Sequence, residues 1–599
     1  MPRQRKVRAQ VRSTQLITPF SSGSIYSTPG GVSVIVSSPS LWNYGGEEEK
    51  HAVVDTRLAD FLNVDSFRSP PDTTWGFRFP RWHFCNRCGF MKEMGMREHV
   101  VRSSCPREEC EGEMVQVRFV AACERGHLRD VDWVRWVHRG NICSDNPRLK
   151  WSAQGQPYVK CEGCGKYRPV QDLFREKPDP EKLPGYMKCG GEMPWLGGRR
   201  EECDRVVIHT LRNATNVCFP VVRSSINLSG ASDERLRVLV DAIKRNPLVS
   251  ALGEDDLRKM LSNVRKQLAP FLEKSHLKAT DFLDEDVIRA HRIARGEETT
   301  PWREAHDDRE FRQMEYELLT GSDLSLPGLE IRQVNITKIE PKIAGFFSQI
   351  VRVEKLIETR ALVGFTRVRP EYEHGNELKK LLWGTEAPPW LPAIQVHGEG
   401  IFIAFSMERI EIWKREHAGF IGRRIDILDE NRRTSSLTAP TEEGTIGIFD
   451  IDLNAEFVLI HTFAHLLINQ LVRECGYSSA SLRERLYVGD NMIGVLIYTA
   501  SGDSEGTLGG LVSMATPGRF EPVVRRAIAE ASWCSVDPVC TELGNKGGQG
   551  PGNCNLAACY ACAMVPETAC EHMNRWLDRG IVVGNPDNRE AGYFSGLIG

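Results

Sequence analysis

Cysteine spacing constrains this chain more than any other feature. Between Trp533 and Cys570 the sequence reads WCSVDPVCTELGNKGGQGPGNCNLAACYACAMVPETAC, and six of the chain's 18 cysteines fall here: Cys534, Cys540, Cys554, Cys559, Cys562 and Cys570. Two thiolates in a Cys559-x-x-Cys562 turn can face one tetrahedral ion. Cys540 upstream and Cys570 downstream can complete the set, with Cys534 and Cys554 as further candidates. The text between Cys540 and Cys559 is rich in Gly, Asn and Gln and poor in apolar residues. Such a segment cannot fold on hydrophobic burial alone, so a metal crosslink is the expected organiser.

The same spacing recurs nearer the N-terminus, where 11 cysteines lie between residues 85 and 218. Cys85-x-x-Cys88 with Cys105 and Cys110 reads as one zinc ribbon, and Cys161-x-x-Cys164 with Cys189 and Cys203 as a second. Gly89 and Gly165 directly follow the second cysteine of each knuckle, where a tight turn lets backbone amides approach sulfur. Between them runs AACERGHLRDVDWVRWVHRGNIC. Cys123, His127, His138 and Cys143 could bind metal there, but the expected reading is a core cysteine and hydrogen-bonded histidines beside a helix carrying Trp133 and Trp136. The reading implies about three structural Zn2+ sites, the third being the C-terminal one.

At 599 residues the chain exceeds one core, and roughly two to four domains are expected. Hydrophobic content of 41% and charge of 26% are ordinary for a soluble protein, and a net charge of −3 gives no global basic field. With no secretory apolar core at its start, the chain is expected to be cytoplasmic, where thiols stay reduced and CxxC pairs bind metal.

The fold class expected is mixed α/β and multidomain. A basic arm and strand-rich segment occupies 1–80, the arm carrying Arg3, Arg5, Lys6, Arg8 and Arg12. A zinc-ribbon module follows at 81–215, then a helical insertion at 216–328. An α/β core spans 329–525, and the four-cysteine segment spans 526–599. Within the core, Ile331 to Ile339, Glu399 to Ser406 and Asn491 to Ala500 read as strands, whereas Val351 to Val363 and Phe457 to Val472 read as helices. The second helix is apolar almost all round and is expected at the centre of the core.

Catalytic signatures are weak. His461 and His465 sit four apart on that helix, but Thr462 stands where a zinc protease carries its general base. The pair is expected to hydrogen-bond backbone near Ser501 to Gly510. That Gly-rich loop follows a strand, yet it lacks the lysine and hydroxyl of a phosphate loop. An alternative reading is a zinc-dependent hydrolase or nuclease using His461, His465 and acids such as Asp452, Asp490 and Asp503.

The runs HTFAHLLINQL, YTASGDSEGTLGGL and NLAACYACAMVPETACEHMNRWLDRG together resemble the C-terminal domain of a group of superfamily 2 helicases. LITPFSSGSIYSTPGGVSVIV, CERGHLRDVDWVRWVH and CGGEMPWLGGRREECD extend the likeness over nearly the whole chain, to the DrmB family of the DISARM anti-phage system. The resemblance implies a non-catalytic accessory subunit that works with a DrmA-like helicase, binds DNA and recognises invading phage DNA. It also implies a four-cysteine zinc site, falling on Cys540, Cys559, Cys562 and Cys570. Cys534 sits in a matching context, so the fourth ligand stays open; Cys554 has no counterpart. The basic N-terminal arm and Arg87, Lys166, Arg199 and Arg200 on the ribbons are candidate DNA-facing charges.

Overall fold

The computed structural model describes residues 11–97, 103–153, 155–175, 184–228, 232–300, 305, 307–370, 375–384, 387–434, 452–499 and 509–598. The basic cluster at residues 3–8 and most of the Gly-rich loop, with Asp503, lie outside these. The chain forms two compact units, and both are discontinuous in sequence. One comprises residues 1–51, 68–223 and 361–394; the other comprises 52–67, 224–360 and 395–599. The contiguous segments read from composition do not follow this interleaving.

The first unit is built from small antiparallel sheets whose hairpin ends carry the cysteines. Trp82–Cys85 pairs with Met91–Glu93 and with Glu113–Gln116. Leu149–Ser152, Tyr158–Cys161 and Tyr167–Pro169 form a meander. Phe119–Ala122 pairs with Leu128–Asp130 and Ile208–Leu211. Sheets this small bury little apolar area. Aromatic rings supply much of what there is: Trp133 and Trp136 are almost fully buried, and Phe84 stacks on Trp151 with ring centroids 5.1 Å apart. Arg367 is buried and, among the described residues, meets no carboxylate; it donates to the carbonyls of Gly23 and Gly126 at 2.8 Å each and to that of Val217. Three loops distant in sequence thus share one guanidinium.

The core of the second unit is a large mixed-length sheet. Its strands include β1 (Leu329–Gln333), β2 (Phe347–Thr366, of which 347–360 belong to this unit), β3 (Trp390–Phe405, of which 395–405 belong to it), β4 (Leu482–Gly489) and β5 (Met492–Thr499), in the order β1-β2-β3-β5-β4. Residues of β3 alternate between two cores. Ile401, Ile403 and Phe405 join the cluster around helix α1 (Ala455–Cys475), and Phe402 and Ala404 join Tyr487, Leu496 and Tyr498. A strand buried on both faces reads as a continuous apolar run, which is how IFIAF reads.

The segment Val351 to Val363, expected as a helix, is instead part of the 20-residue strand β2. Its Leu, Glu, Lys and Ala content favours helix locally, but pairing with β1 and burial on both sides decide for strand. Helix α1 does form, from an Asn454 cap whose side chain accepts from Phe457 N–H to Gly476 in the left-handed region. It is long and apolar enough to cross a membrane by length and composition, but 83% of its most apolar window is buried inside the protein. Helix α2 (Phe520–Ala531) packs against it, with Phe520 and Phe463 in one cluster.

A separate helical core closes around Ser232–Lys244, Glu254–Lys274 and Asp284–Ala294, as the three- and four-residue apolar spacing requires. Beside the large sheet, Glu315 is fully buried and receives Arg57 at 2.6 Å, Arg485 at 2.7 Å and the Tyr487 hydroxyl at 3.1 Å. Two guanidiniums on one carboxylate overcome its desolvation and hold its pKa at about 2.

Candidate metal centres

Among the described residues, five clusters bring metal-donor side chains to single points, and they gather 15 of the 18 cysteines. The first is the ribbon Cys85, Cys88, Cys105 and Cys110, grouped as the spacing predicts. Its turn is a hairpin in which Cys85 N–H donates to Phe90 O at 2.8 Å and Gly89 N–H to Cys85 O at 2.9 Å. The amides of Arg87 and Cys88 approach the Cys85 sulfur at 3.4 Å each. Gly89 has φ +76°, and a Cβ there would lie 2.1 Å from Trp151 O, so no other residue fits.

The second knuckle does not pair with the cysteines downstream of it. Cys161 and Cys164 meet His138 and Cys143, whereas Cys189 and Cys203 meet Cys123 and His127. The expected group of Cys161, Cys164, Cys189 and Cys203 is therefore split into two, and the residues expected as core histidines and cysteine complete both. The reason lies in the hairpins. Cys123 and His127 flank a turn in which Gly126 N–H donates to Cys123 O at 3.0 Å, so they act as a knuckle of their own. Cys189 is delivered to it by Gly191, whose amide lies 3.4 Å from the Cys189 sulfur. The short helix Trp133–His138 ends with His138 facing Cys164.

Both histidines are oriented by a second bond. His127 Nδ1 lies 3.4 Å from Cys123 Sγ, and its Nε2–H donates to Glu201 at 2.8 Å, which also pairs with Lys380 at 2.9 Å. His138 Nδ1–H donates to Val134 O at 2.7 Å, leaving Nε2 at 3.4 Å from Cys164 Sγ. Such partners fix the tautomer and present one lone pair inward.

The fourth cluster is Cys534, Cys540, Cys559 and Cys562. Cys534 takes the place expected for Cys570. The Cys534 sulfur sits 3.6 Å from that of Cys559, with Val536 N–H 3.4 Å from Cys534 Sγ. Cys540 lies on helix α3 (Val539–Lys546), and Gln549 reaches its sulfur at 3.4 Å. Arg579, from helix α4 (Arg579–Val583), clamps the segment through Asp537 at 2.9 Å and the carbonyls of Ala531 and Ala557 at 2.8 and 3.1 Å. Cys554 is buried in the core around α1, apart from this cluster.

The donor geometry fits zinc. Zn–S bonds of about 2.3 Å in a tetrahedron place sulfurs about 3.8 Å apart, and a sulfur and an imidazole nitrogen about 3.5 Å apart. Observed separations are 3.6 Å for Cys85–Cys110, 3.7 Å for Cys88–Cys105 and Cys143–Cys161, 3.5 Å for Cys123–Cys189 and 3.8 Å for Cys559–Cys562. These are far from the roughly 2.05 Å of a disulfide. Each of these first four clusters also holds one thiol with a lowered pKa. Cys123 is drawn to about 4 by its bonds with Cys189 and His127, and Cys540 to about 5 by Cys562, Gln549 and Arg579. Cys164 falls to about 7 through the Lys166 amide; Cys85 also reaches about 7, its desolvation outweighed by the amides of Cys88 and Arg87. A thiol already near its thiolate form is the ligand a cation needs.

The fifth cluster is His461, His465, Glu484 and Cys570. His465 Nδ1 bonds Ala563 O at 2.8 Å; most of the loop Ser501 to Gly510, expected as the partner of the two histidines, lies outside the described residues. Asp452 and Asp490 stay at the surface, where both pair with Arg309, and Asp490 is 90% exposed. Asp452 and Asp490 are thus not assembled with the histidines, and Asp503 lies outside the described residues.

Residues 12–219 match a family described as a domain of unknown function (DUF8724), and residues 463–563 match the MrfA Zn-binding domain. A curated relative, "DISARM protein DrmB" of Bacillus paralicheniformis (strain ATCC 9945a / NCIMB 11709 / CD-2), is 31% identical over 584 residues, which is 93% of this chain and 98% of the relative. The chain belongs to the DrmB family. It carries a zinc-binding domain together with Cys/His clusters suited to zinc. The segment matched to the MrfA domain contains all four residues of the cluster Cys534, Cys540, Cys559 and Cys562 and ends before Cys570.

Four of the ligand-type residues in the first unit, Cys123, His127, His138 and Cys143, carried a readable signal. Cys123-x-x-x-His127 has Gly126 inside it, as a turn between two donors requires. Glu484 and Glu201 carried none, because a carboxylate that meets a distant histidine has no local spacing.

Proposed function

We propose that this DrmB-family chain is a non-catalytic, cytoplasmic subunit of a DISARM-type anti-phage complex, that it partners a DrmA-like superfamily 2 helicase, and that it helps bind and recognise invading DNA. The observation that carries this reading is the likeness to a DISARM protein along almost the whole of both chains. The metal clusters support it: each closes on four protein donors and works as a staple in a scaffold. The sequence has no Walker lysine motif, so a motor must come from another subunit.

The DNA-facing surface is assigned to the exposed tip of the second knuckle. Lys166 and Tyr167 are exposed there, Tyr167 by 66%, which offers a phosphate contact beside a stacking ring. Arg87 and Arg200 suit the role less, since Glu111 and Glu192 pair with them at 3.2 and 3.0 Å.

The test is purification of the chain alone and with its helicase, followed by DNA binding across a salt series. Co-purification, and binding by the pair that weakens linearly on a log–log salt plot, is the expected result. Absence of DNA binding by both preparations at low salt, or ATP hydrolysis by the isolated chain, overturns the reading.

A further inference from the structure

We infer that His461, His465, Glu484 and Cys570 form a metal site of their own, a closed mixed-donor centre for a zinc ion, separate from the cysteine clusters. The four donors come from three parts of the second unit. Helix α1 supplies both imidazoles from one face, at i and i+4; strand β4 supplies the carboxylate; the segment after the cysteine knuckle supplies the thiol.

Their atoms converge. His461 Nε2 lies 3.2 Å from both Cys570 Sγ and Glu484 Oε1, and His465 Nε2 lies 3.6 Å from Glu484 Oε2. With metal–nitrogen and metal–oxygen bonds of about 2.0 Å, the edges of a tetrahedron are about 3.3 to 3.5 Å. The side chains of His461, His465 and Glu484 are fully shielded from solvent. His465 Nε2 and Glu484 Oε2 have no hydrogen-bond partner among the described residues, although both are buried and face each other. Two acceptor-type atoms left unsatisfied in a dry interior are costly unless a cation lies between them.

The surroundings are those of a ligand shell. His465 is oriented by Nδ1–H donation to Ala563 O at 2.8 Å. Cys570 Sγ receives the amides of His572 and Asn574 at 3.3 and 3.2 Å, the same amide–sulfur pattern seen at Cys85. Glu571 N–H donates to Glu484 Oε1 at 3.1 Å. Two nitrogens, one oxygen and one sulfur suit a borderline cation such as Zn2+, and hard oxygen-seeking ions do not fit. Because the protein fills the tetrahedron, the centre has no open position for water. It ties α1, β4 and the C-terminal segment together and does not hydrolyse.

The test uses the full chain, purified without chelator. Anomalous scattering from crystals on either side of the zinc edge is expected to show one peak among these four side chains, besides one in each cysteine cluster. Peaks at the cysteine clusters with none here would leave a protonated hydrogen-bond network and overturn the site. Metal counting in solution gives an independent readout. Glu484→Gln and Cys570→Ser are each expected to lose one zinc per chain and to keep the rest; full retention in both overturns the site. The wild-type scattering decides the matter even where a variant does not fold. It is also independent of DNA and helicase binding.

Discussion

Cys534 and Cys559 hold their sulfurs 3.6 Å apart across 25 residues of chain. That contact closes the C-terminal segment, whose Gly-rich text could not close itself. Cys534→Ala is therefore expected to release one zinc per chain and to expose residues 533–562 to protease. Metal analysis and limited proteolysis check both, and Cys554→Ala, outside the cluster, is the control that keeps its zinc.

Glu201 accepts from His127 and pairs with Lys380, so it sets which imidazole nitrogen faces the sulfurs. Glu201→Gln keeps the shape and removes the charge. The expected loss is about 10- to 100-fold in zinc affinity at that cluster, read by competition with a chromophoric chelator. The ribbon at Cys85 should be unaffected.

Glu315 gives a pH dependence with a defined sign. Its pKa falls from 4.5 to about 2 in the folded protein, because Arg485 and Arg57 outweigh its desolvation. A depressed carboxylate stabilises the fold fully above the unfolded value and loses that contribution as pH drops through the folded one. Stability should therefore decline between about pH 5 and pH 2, by about 3 kcal/mol from this group. Denaturant titrations across that window, with Glu315→Gln showing a shallower decline and a lower plateau, are the measurement. Removing one partner of this buried set should cost about 3–5 kcal/mol at neutral pH.

Arg579 reaches Asp537 and two carbonyls from a buried position. Arg579→Lys keeps the charge but loses the fork, so a loss of about 2–3 kcal/mol is expected. Hydrogen exchange should report it first in the α3 region.

What the sequence made legible follows from where the information sits. Cys85-x-x-Cys88 and Cys559-x-x-Cys562 were readable because a knuckle is a local object. Helix α1 was readable because an apolar run of that length, with an Asn cap and a terminal Gly, has few other solutions. The partner pairs were not. Which distant pair completes a knuckle depends on strand pairing, and adjacency in sequence misassigned Cys189, Cys203 and Cys570. Val351 to Val363 failed for the same reason: its residues favour helix, and only the neighbouring strands, absent from any local window, make it β2. His461 and His465 are legible as a pair because they are one helical turn apart, whereas Glu484 is brought to them only by the folding of strand β4 against α1.

The ligands of two first-unit clusters are nested along the chain. His138, Cys143, Cys161 and Cys164 all lie between His127 and Cys189. Loop closure costs more entropy the longer the loop, so the inner set can gather from its own short hairpins while the outer set must wait for everything between its halves. Metal uptake then has a direction. An ion captured early by the inner thiols shortens the path that Cys189 and Cys203 must search, whereas a chain starved of zinc during synthesis would have both ends of the outer ring far apart, with exposed sulfurs free to choose the wrong neighbours.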